Sequence, residues 1–171
     1  MSTLSVTDPD FLLKFGNTVK DSLVSLLEEC QQEVPDRVVL AFNRPPQDCC
    51  PELAVWVDNM RPWDGVPFEG LQFGHLQCFN LWAVDVGVRI GRCYVDIDGS
   101  GNPIDPQSIE DLARPIYRDG NILYVGWVAK FRAKEICQIC PCDIGTVSNL
   151  ISYNEGGCAG WEFIVTVGFA Q

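Results

Sequence analysis

The sequence has little positive charge to offer a polyanion. Only 12 of its 171 residues are Lys or Arg, against 23 Asp or Glu, for a formal net charge of −11. Proteins that wrap nucleic acid displace condensed counterions with basic side chains, so the balance argues against that class. Histidine is almost missing as well. His75 is the only one, it falls in a loop-like stretch, and without a clear nucleophile partner a Cys–His catalytic pair has no support. There is no P-loop, dinucleotide-binding glycine motif, nucleophile elbow or zincin helix. Catalysis therefore has no foothold, and neither an enzymatic activity nor a cofactor is expected. No apolar run reaches the roughly 18 residues that cross a bilayer. Met1 to Asp10 holds no basic stretch followed by an apolar one, so no secretory signal is expected and synthesis in the cytosol is. Internal repeats and low-complexity segments are missing too.

What remains is the composition of a globular chain, 47% hydrophobic and 20% charged. A length of 171 residues suits one domain over 1–171, large enough to bury a core. The acidic excess reads as solubility, or as a channel wall that repels phosphate and lets a duplex slide past without sticking.

Apolar periodicity gives the elements. Phe11, Phe15, Val19, Leu23, Leu26 and Cys30 recur at helical spacing, with Thr7 as the expected cap and Pro9 and Asp10 suited to the first turn. Pro35 disfavours helix in the residue before it and is expected to close that helix at Glu33–Asp36. Val38–Phe42 is a short β-rich run, and Leu53, Val55 and Val57 alternate with Ala54, Trp56 and Asp58. Phe79–Tyr94 reads as a long strand, with Trp82, Val84, Val86, Val88 and Ile90 on one face and Asp85, Gly87, Arg89 and Gly91 on the other. That polar face is expected to be half-exposed or to meet another subunit. Gln107–Lys134 is helical, with Pro115 and Asp119-Gly120 expected to break it in two. A closing two-strand unit runs from Ile144–Tyr153 through Asn154–Gly157 into Trp161–Phe169. The expectation is an α+β fold: a mixed or antiparallel sheet of about five strands, packed on one face by helices, in the order α-β-β-β-α(α)-β-β.

Residues 61–78 are rich in Pro, Gly and aromatics and too long for a tight hairpin. They read as a loop or arm, either folded back over the core or presenting Trp63, Phe68 and Phe73 to a partner surface. Asp96-Ile-Asp98-Gly-Ser100-Gly101 resembles the start of a calcium loop, but Gln107 stands where the bidentate Glu belongs and a strand precedes it. A plain strand-to-helix turn explains it better. Cys137-Gln-Ile-Cys140-Pro-Cys142 is the one candidate metal or thiol site. It follows a helix instead of opening one, and a zinc site would need a further ligand from Cys49, Cys50 or His75.

Several blocks together resemble the tail terminator (tail completion) proteins of long-tailed phages, in the version found in phages of actinobacteria. They are Asp48-Cys49-Cys50 opening a strand, Cys78-Phe-Asn-Leu-Trp82-Ala-Val-Asp-Val-Gly-Val-Arg-Ile-Gly-Arg-Cys93, the Asp98-Gly-Ser-Gly-Asn-Pro103 turn, and Gly156-Gly-Cys158-Ala-Gly160-Trp161 before the last strand. The resemblance implies a non-enzymatic virion protein of the head–tail joint, assembled in the host cytoplasm. It implies a homo-oligomeric ring, usually a hexamer, that caps the tail tube, ends tail polymerisation and docks to the neck proteins. Double-stranded DNA passes through the lumen of such rings without specific binding, and no membrane is involved. Other neck components (a head–tail adaptor or stopper) and minor tail proteins are neighbouring readings. A small zinc or thiol protein using Cys137, Cys140 and Cys142 is the reading from another class.

On that reading the mixed strand faces nominate Asp58, Asp85, Arg89 and Glu162 for the lumen or a subunit contact. Trp63, Phe68 and Phe73 are nominated for contact with a neighbour or the tube. Antiparallel pairing of the strands beginning near Leu53 and ending at Cys93 would gather Cys49, Cys50, Cys93 and Cys158 at one sheet edge. A disulfide there predicts fewer reactive thiols in the denatured protein without reductant than with it; equal counts would exclude it.

Overall fold

The computed structural model describes residues 8–46, 51–63, 71–73, 81–94, 101–132, 144–155 and 157–170. Two helices and seven strands follow in the order α1 (Phe11–Glu29), β1 (Arg37–Ala41), β2 (Glu52–Trp63), β3 (Leu71–Phe73), β4 (Leu81–Cys93), α2 (Pro106–Arg132), β5 (Ile144–Val147), β6 (Ile151–Glu155) and β7 (Cys158–Ala170). All strands join one mixed sheet in the order β1-β2-β4-β7-β5-β3, with β6 also beside β7. The α+β class stands as expected from the sequence, with two more strands than the five anticipated.

The sheet is built around β4 and β7, which pair antiparallel without interruption from Leu81 opposite Ala170 to Cys93 opposite Cys158. Alternation then divides the side chains. Val84, Val86, Val88 and Ile90 share a face with Phe163, Val165, Val167 and Phe169, and with Leu53 and Val55 of β2. All are buried under the helices. α1 contributes Phe11, Phe15, Val19, Leu23, Leu26 and Leu27, and the Phe11 and Phe15 rings meet Phe169 edge-on at 4.9 and 4.8 Å. α2 contributes Ile116, Leu123, Trp127, Val128 and Phe131. A bulge between Val57 and Asn59 shifts the β2–β4 register by one residue at Asp58, after which Met60 stands opposite Val84 and Arg61 opposite Ala83.

The helix ends differ from the sequence expectation for local reasons. α1 closes before Pro35 acts. Gln31 takes the left-handed conformation at φ 55°, its N–H reaches the Glu28 carbonyl, and that of Gln32 reaches the Leu27 carbonyl at 2.8 Å. This is a Schellman closure with glutamine in the place glycine usually holds. At the other end, Asp10 precedes the helix without a side-chain cap, and the Asp8 carboxylate accepts from the Asp10 N–H and pairs with Lys14 at 2.6 Å. Thr7 lies outside the described residues. α2 is one helix, not two. Asp105 caps it by accepting from the Ser108 N–H at 3.1 Å, and Pro106 takes the first helical position. The helix runs on through Pro115 because the residues beyond are tied to the sheet. Ile116 offers its carbonyl to the Trp161 indole N–H at 2.8 Å, and Asp119 pairs with Arg92.

Within residues 61–78, the structure corrects the loop reading in two places. β2 continues as far as Trp63, and Leu71–Phe73 is a strand that pairs with β5. Phe68 lies outside the described residues, as do the side chains of Trp63 and Phe73.

Gly160 lies directly against the backbone of β4. A Cβ on Gly160 would stand 1.9 Å from the Ile90 carbonyl oxygen, a backbone atom that cannot turn aside. Gly160→Ala is therefore expected to lower stability by about 1–3 kcal/mol or more in chemical denaturation. A change within about 0.5 kcal/mol would show that the strands are not this close.

Candidate functional site: the polar face of the sheet

The face turned away from the helices carries the polar residues of β2, β4 and β7. At the head of β2 on this face stands Glu52, which is 3% exposed. Its Oε1 accepts from Arg89 Nη2 at 2.8 Å, and Oε2 stands 3.3 Å from Arg37 Nε. Arg89 is one rung away, between Ala54 of β2 and Glu162 of β7. Its guanidinium also donates to the carbonyls of Pro45 at 3.0 Å and Pro46 at 3.3 Å. Arg44 reaches Glu162 at 2.9 Å.

The effect follows from chain topology. β1 and β2 are parallel neighbours, so the chain between them must return across the sheet. Arg89 and Glu162 hold the first part of that return, Arg44 to Pro46, against the polar face. Tyr153 of β6 is next to this cluster, with its hydroxyl over Gly91, where an added Cβ would stand 2.3 Å away. Burial pushes the Tyr153 phenol up to about 12, outweighing the nearby Arg89. The phenol is neutral at any physiological pH.

A second group lies further along the strands. The Thr166 hydroxyl donates to Asp85 Oδ1 at 2.6 Å, and Arg61 Nε stands 3.7 Å from Oδ2. Trp56 covers Gly87, whose Cβ would meet its ring at 2.0 Å, and its indole N–H reaches Asp58 at 3.3 Å. Burial pushes the Asp85 carboxyl above its ordinary 3.8, against the opposing pull of the Thr166 hydrogen bond and the Arg61 charge.

The four residues nominated for a lumen or subunit contact are thus divided. Asp58 is exposed and Glu162 is partly so. Asp85 and Arg89 are each only 4% exposed and bond within the chain. The expectation that this strand face is half-exposed is corrected: their polarity serves internal pairing, because a buried charge without a partner would be costly. Sequence reasoning missed Glu52, Arg37, Arg44 and Tyr153. A glutamate at the head of β2 and an arginine on the same face of β4 were the available signal, readable only once the register was known.

The cysteines separate as well. Cys93 stands directly opposite Cys158, as the strand directions implied. Cys158 is buried and disulfide-bonded, whereas Cys93 and Cys30 are free, exposed thiols. Cys93 is therefore corrected out of any staple, since the sulfur facing it is already bonded elsewhere. Cys49, Cys50, Cys137, Cys140, Cys142, His75 and the Asp96–Ser100 turn lie outside the described residues. Among the described residues, no group of three His, Cys, Asp or Glu could hold a metal ion. No helix among them is long and apolar enough to cross a membrane.

The chain matches no family model and no curated protein.

Two substitutions on this face are expected to act oppositely. Arg89→Met leaves Glu52 buried without its strongest partner and should cost about 3–5 kcal/mol. Asp85 has a raised pKa in the folded state, so its contribution to stability is full below about 3.8 and is lost as pH rises through the raised value. Asp85→Asn, which keeps an oxygen for Thr166, should flatten the fall in stability as pH rises above about 4. Denaturation midpoints across that range test both. An unchanged slope in Asp85→Asn would show that this carboxyl is not responsible.

Proposed function

We propose that the protein is a structural component of a phage head–tail joint, acting as a tail terminator. On this reading copies of the chain form a ring on the end of the tail tube, stop its growth and present a docking face to the neck. The single observation behind it is the way separate sequence blocks of the terminator pattern come together. Leu81–Cys93 and Cys158–Phe169, far apart in the chain, are neighbouring central strands, with Gly91 opposite Gly160 and Cys93 opposite Cys158. The small and cysteine residues that carry the resemblance thus share rungs of one ladder.

The chemistry of the polar face is compatible with this. Its charged groups are matched to one another and to backbone carbonyls, an arrangement that stiffens a protomer. The net charge of −11 suits a ring through which DNA slides, because an acidic wall repels phosphate. A head–tail adaptor, a stopper or a minor tail protein would share these features and differ in ring size and position.

Solution mass across a concentration series tests the proposal. A species of six 19.0 kDa chains, or a monomer moving toward one as concentration rises, is expected. A ring of about twelve chains would point to an adaptor instead, and a strict monomer at every concentration would count against any ring. About one bound zinc per chain would favour the zinc or thiol reading on Cys137, Cys140 and Cys142.

A further inference from the structure

At the end of β4 a free thiol faces a sulfur that is already bonded. Cys93 stands opposite Cys158, and the Tyr94 N–H just beyond it donates to the Gly157 carbonyl at 2.8 Å. Tyr94 and Gly157 are therefore a hydrogen-bonded pair. Such pairs alternate with non-hydrogen-bonded ones along an antiparallel ladder, which makes Cys93 and Cys158 the closer kind, with Cα atoms about 4.5 Å apart and side chains on one face. From that separation a disulfide closes without moving the backbone. Cys158 is nevertheless bonded to another cysteine, while Cys93 is exposed and free.

Chain reach narrows the choice of that other cysteine, since Cys30 is free as well. Ile144 is opposite Gly168, ten residues along β7 from Cys158, and a strand covers that span in about 33 Å. Cys140 and Cys142 are four and two residues from Ile144 and can cover at most about 14 Å of it. Cys137, seven residues out, would need all of them drawn straight. Cys78 is three residues from Leu81, whose partner Ala170 is twelve residues from Cys158. Cys49 and Cys50 are placed differently. They precede Glu52, which shares a rung with Gly91 and Gly160, only two residues from Cys158. Alternation also puts Cys158 on the same face as Glu162, the face on which Arg89 holds the Pro46 carbonyl.

The geometry points to an exchange: the Cys93 thiol displaces Cys49 or Cys50 from Cys158 and moves the disulfide onto the central ladder. The step balances within the chain. Cys93 gives its proton to solvent, its thiolate attacks Cys158 Sγ, and the Cys93–Cys158 bond forms as the existing bond to Cys158 breaks. The displaced sulfur leaves with the electron pair of that bond and takes a proton from solvent. One disulfide replaces another, so neither oxidant nor reductant is consumed. Position sets Cys93 apart from Cys30, which is equally free and exposed but follows α1 on the helix side of the sheet. In one isomer β7 is tied to the segment leading into β2. In the other that segment is released and β4 is locked to β7. The exchange is a property of the single protomer and does not depend on the ring reading.

To test this, the full chain is held folded at about pH 8 without reductant, where thiolate is available for exchange. Free thiols are then blocked with N-ethylmaleimide, and the disulfides are mapped by mass spectrometry after digestion at low pH. Two linkages of Cys158 are expected, one to Cys49 or Cys50 and one to Cys93, with maleimide on whichever sulfur is left out. Cys93→Ser, with unchanged circular dichroism, is expected to lose the second linkage and keep the first. Cys158 found in a single linkage in the unsubstituted chain, to either partner, overturns the exchange, as does Cys158 recovered as a free thiol. A Cys30–Cys158 linkage as abundant as the Cys93–Cys158 one would show unspecific scrambling and overturn it too.

Discussion

Everything else in this fold hangs on the pairing of β4 with β7. The two strands share thirteen consecutive rungs, and at the rung of Gly91 and Gly160 the backbone of β4 fills the space a Cβ on Gly160 would need. β2 pairs on the outer side of β4, β5 and β6 share the outer side of β7, and both helices pack on the apolar face that these strands create. The ladder joins residues from 65 apart in sequence (Cys93 and Cys158) to 89 apart (Leu81 and Ala170), so a loop-closure entropy is lost before any of the core forms. The result is a buried face of Val84, Val86, Val88 and Ile90 with Phe163, Val165, Val167 and Phe169.

The opposite face has a different logic. Its buried polar groups are joined in pairs, Glu52 with Arg89 and Asp85 with Thr166, while Trp56 closes over Gly87. A well-packed apolar set could be as stable. What the charged set supplies is direction. Only one position of Arg44 to Pro46 satisfies both Arg89, which bonds two carbonyls of that segment, and Glu162, which pairs with Arg44. The crossing connection from β1 to β2 is thereby seated, and with it the position of β1 as an edge strand.

Much of this was legible in the sequence where a single period or residue type decides the outcome. The alternation in Leu81–Cys93 and Trp161–Phe169 identified the central strands, and Phe11 to Leu26 identified the first helix. The failures share one cause, tertiary contact overriding a local signal. Pro115 and Asp119-Gly120 read as a helix break, yet Asp119 binds Arg92 and Gly120 is the seat for Trp161, whose ring would meet an added Cβ at 2.6 Å. Leu71–Phe73 had no period to announce it, being three residues held by β5. Asp85 and Arg89 were seen to share a face. That this face is closed off depends on Trp56, Thr166 and the Pro45–Pro46 backbone, which no local pattern in β4 encodes.

These two faces together restrict how the protein can associate. The apolar face is under two helices. The polar face has its charges matched internally, so Asp85 and Arg89 have little left to offer a partner. Among the described residues, β1 pairs only with β2 and β6 only with β7, and Phe42 and Ile151 are exposed beside them. Main-chain pairing at such an edge is indifferent to side-chain charge, which matters for a chain of net charge −11. Copies of so acidic a protein repel one another at long range, and ions screen that repulsion over about 8–10 Å at ordinary ionic strength. Short-range backbone hydrogen bonds and apolar contact are unaffected by that screening. An association held by backbone pairing or apolar contact should therefore strengthen as salt is added, the opposite of one held by ion pairs between subunits.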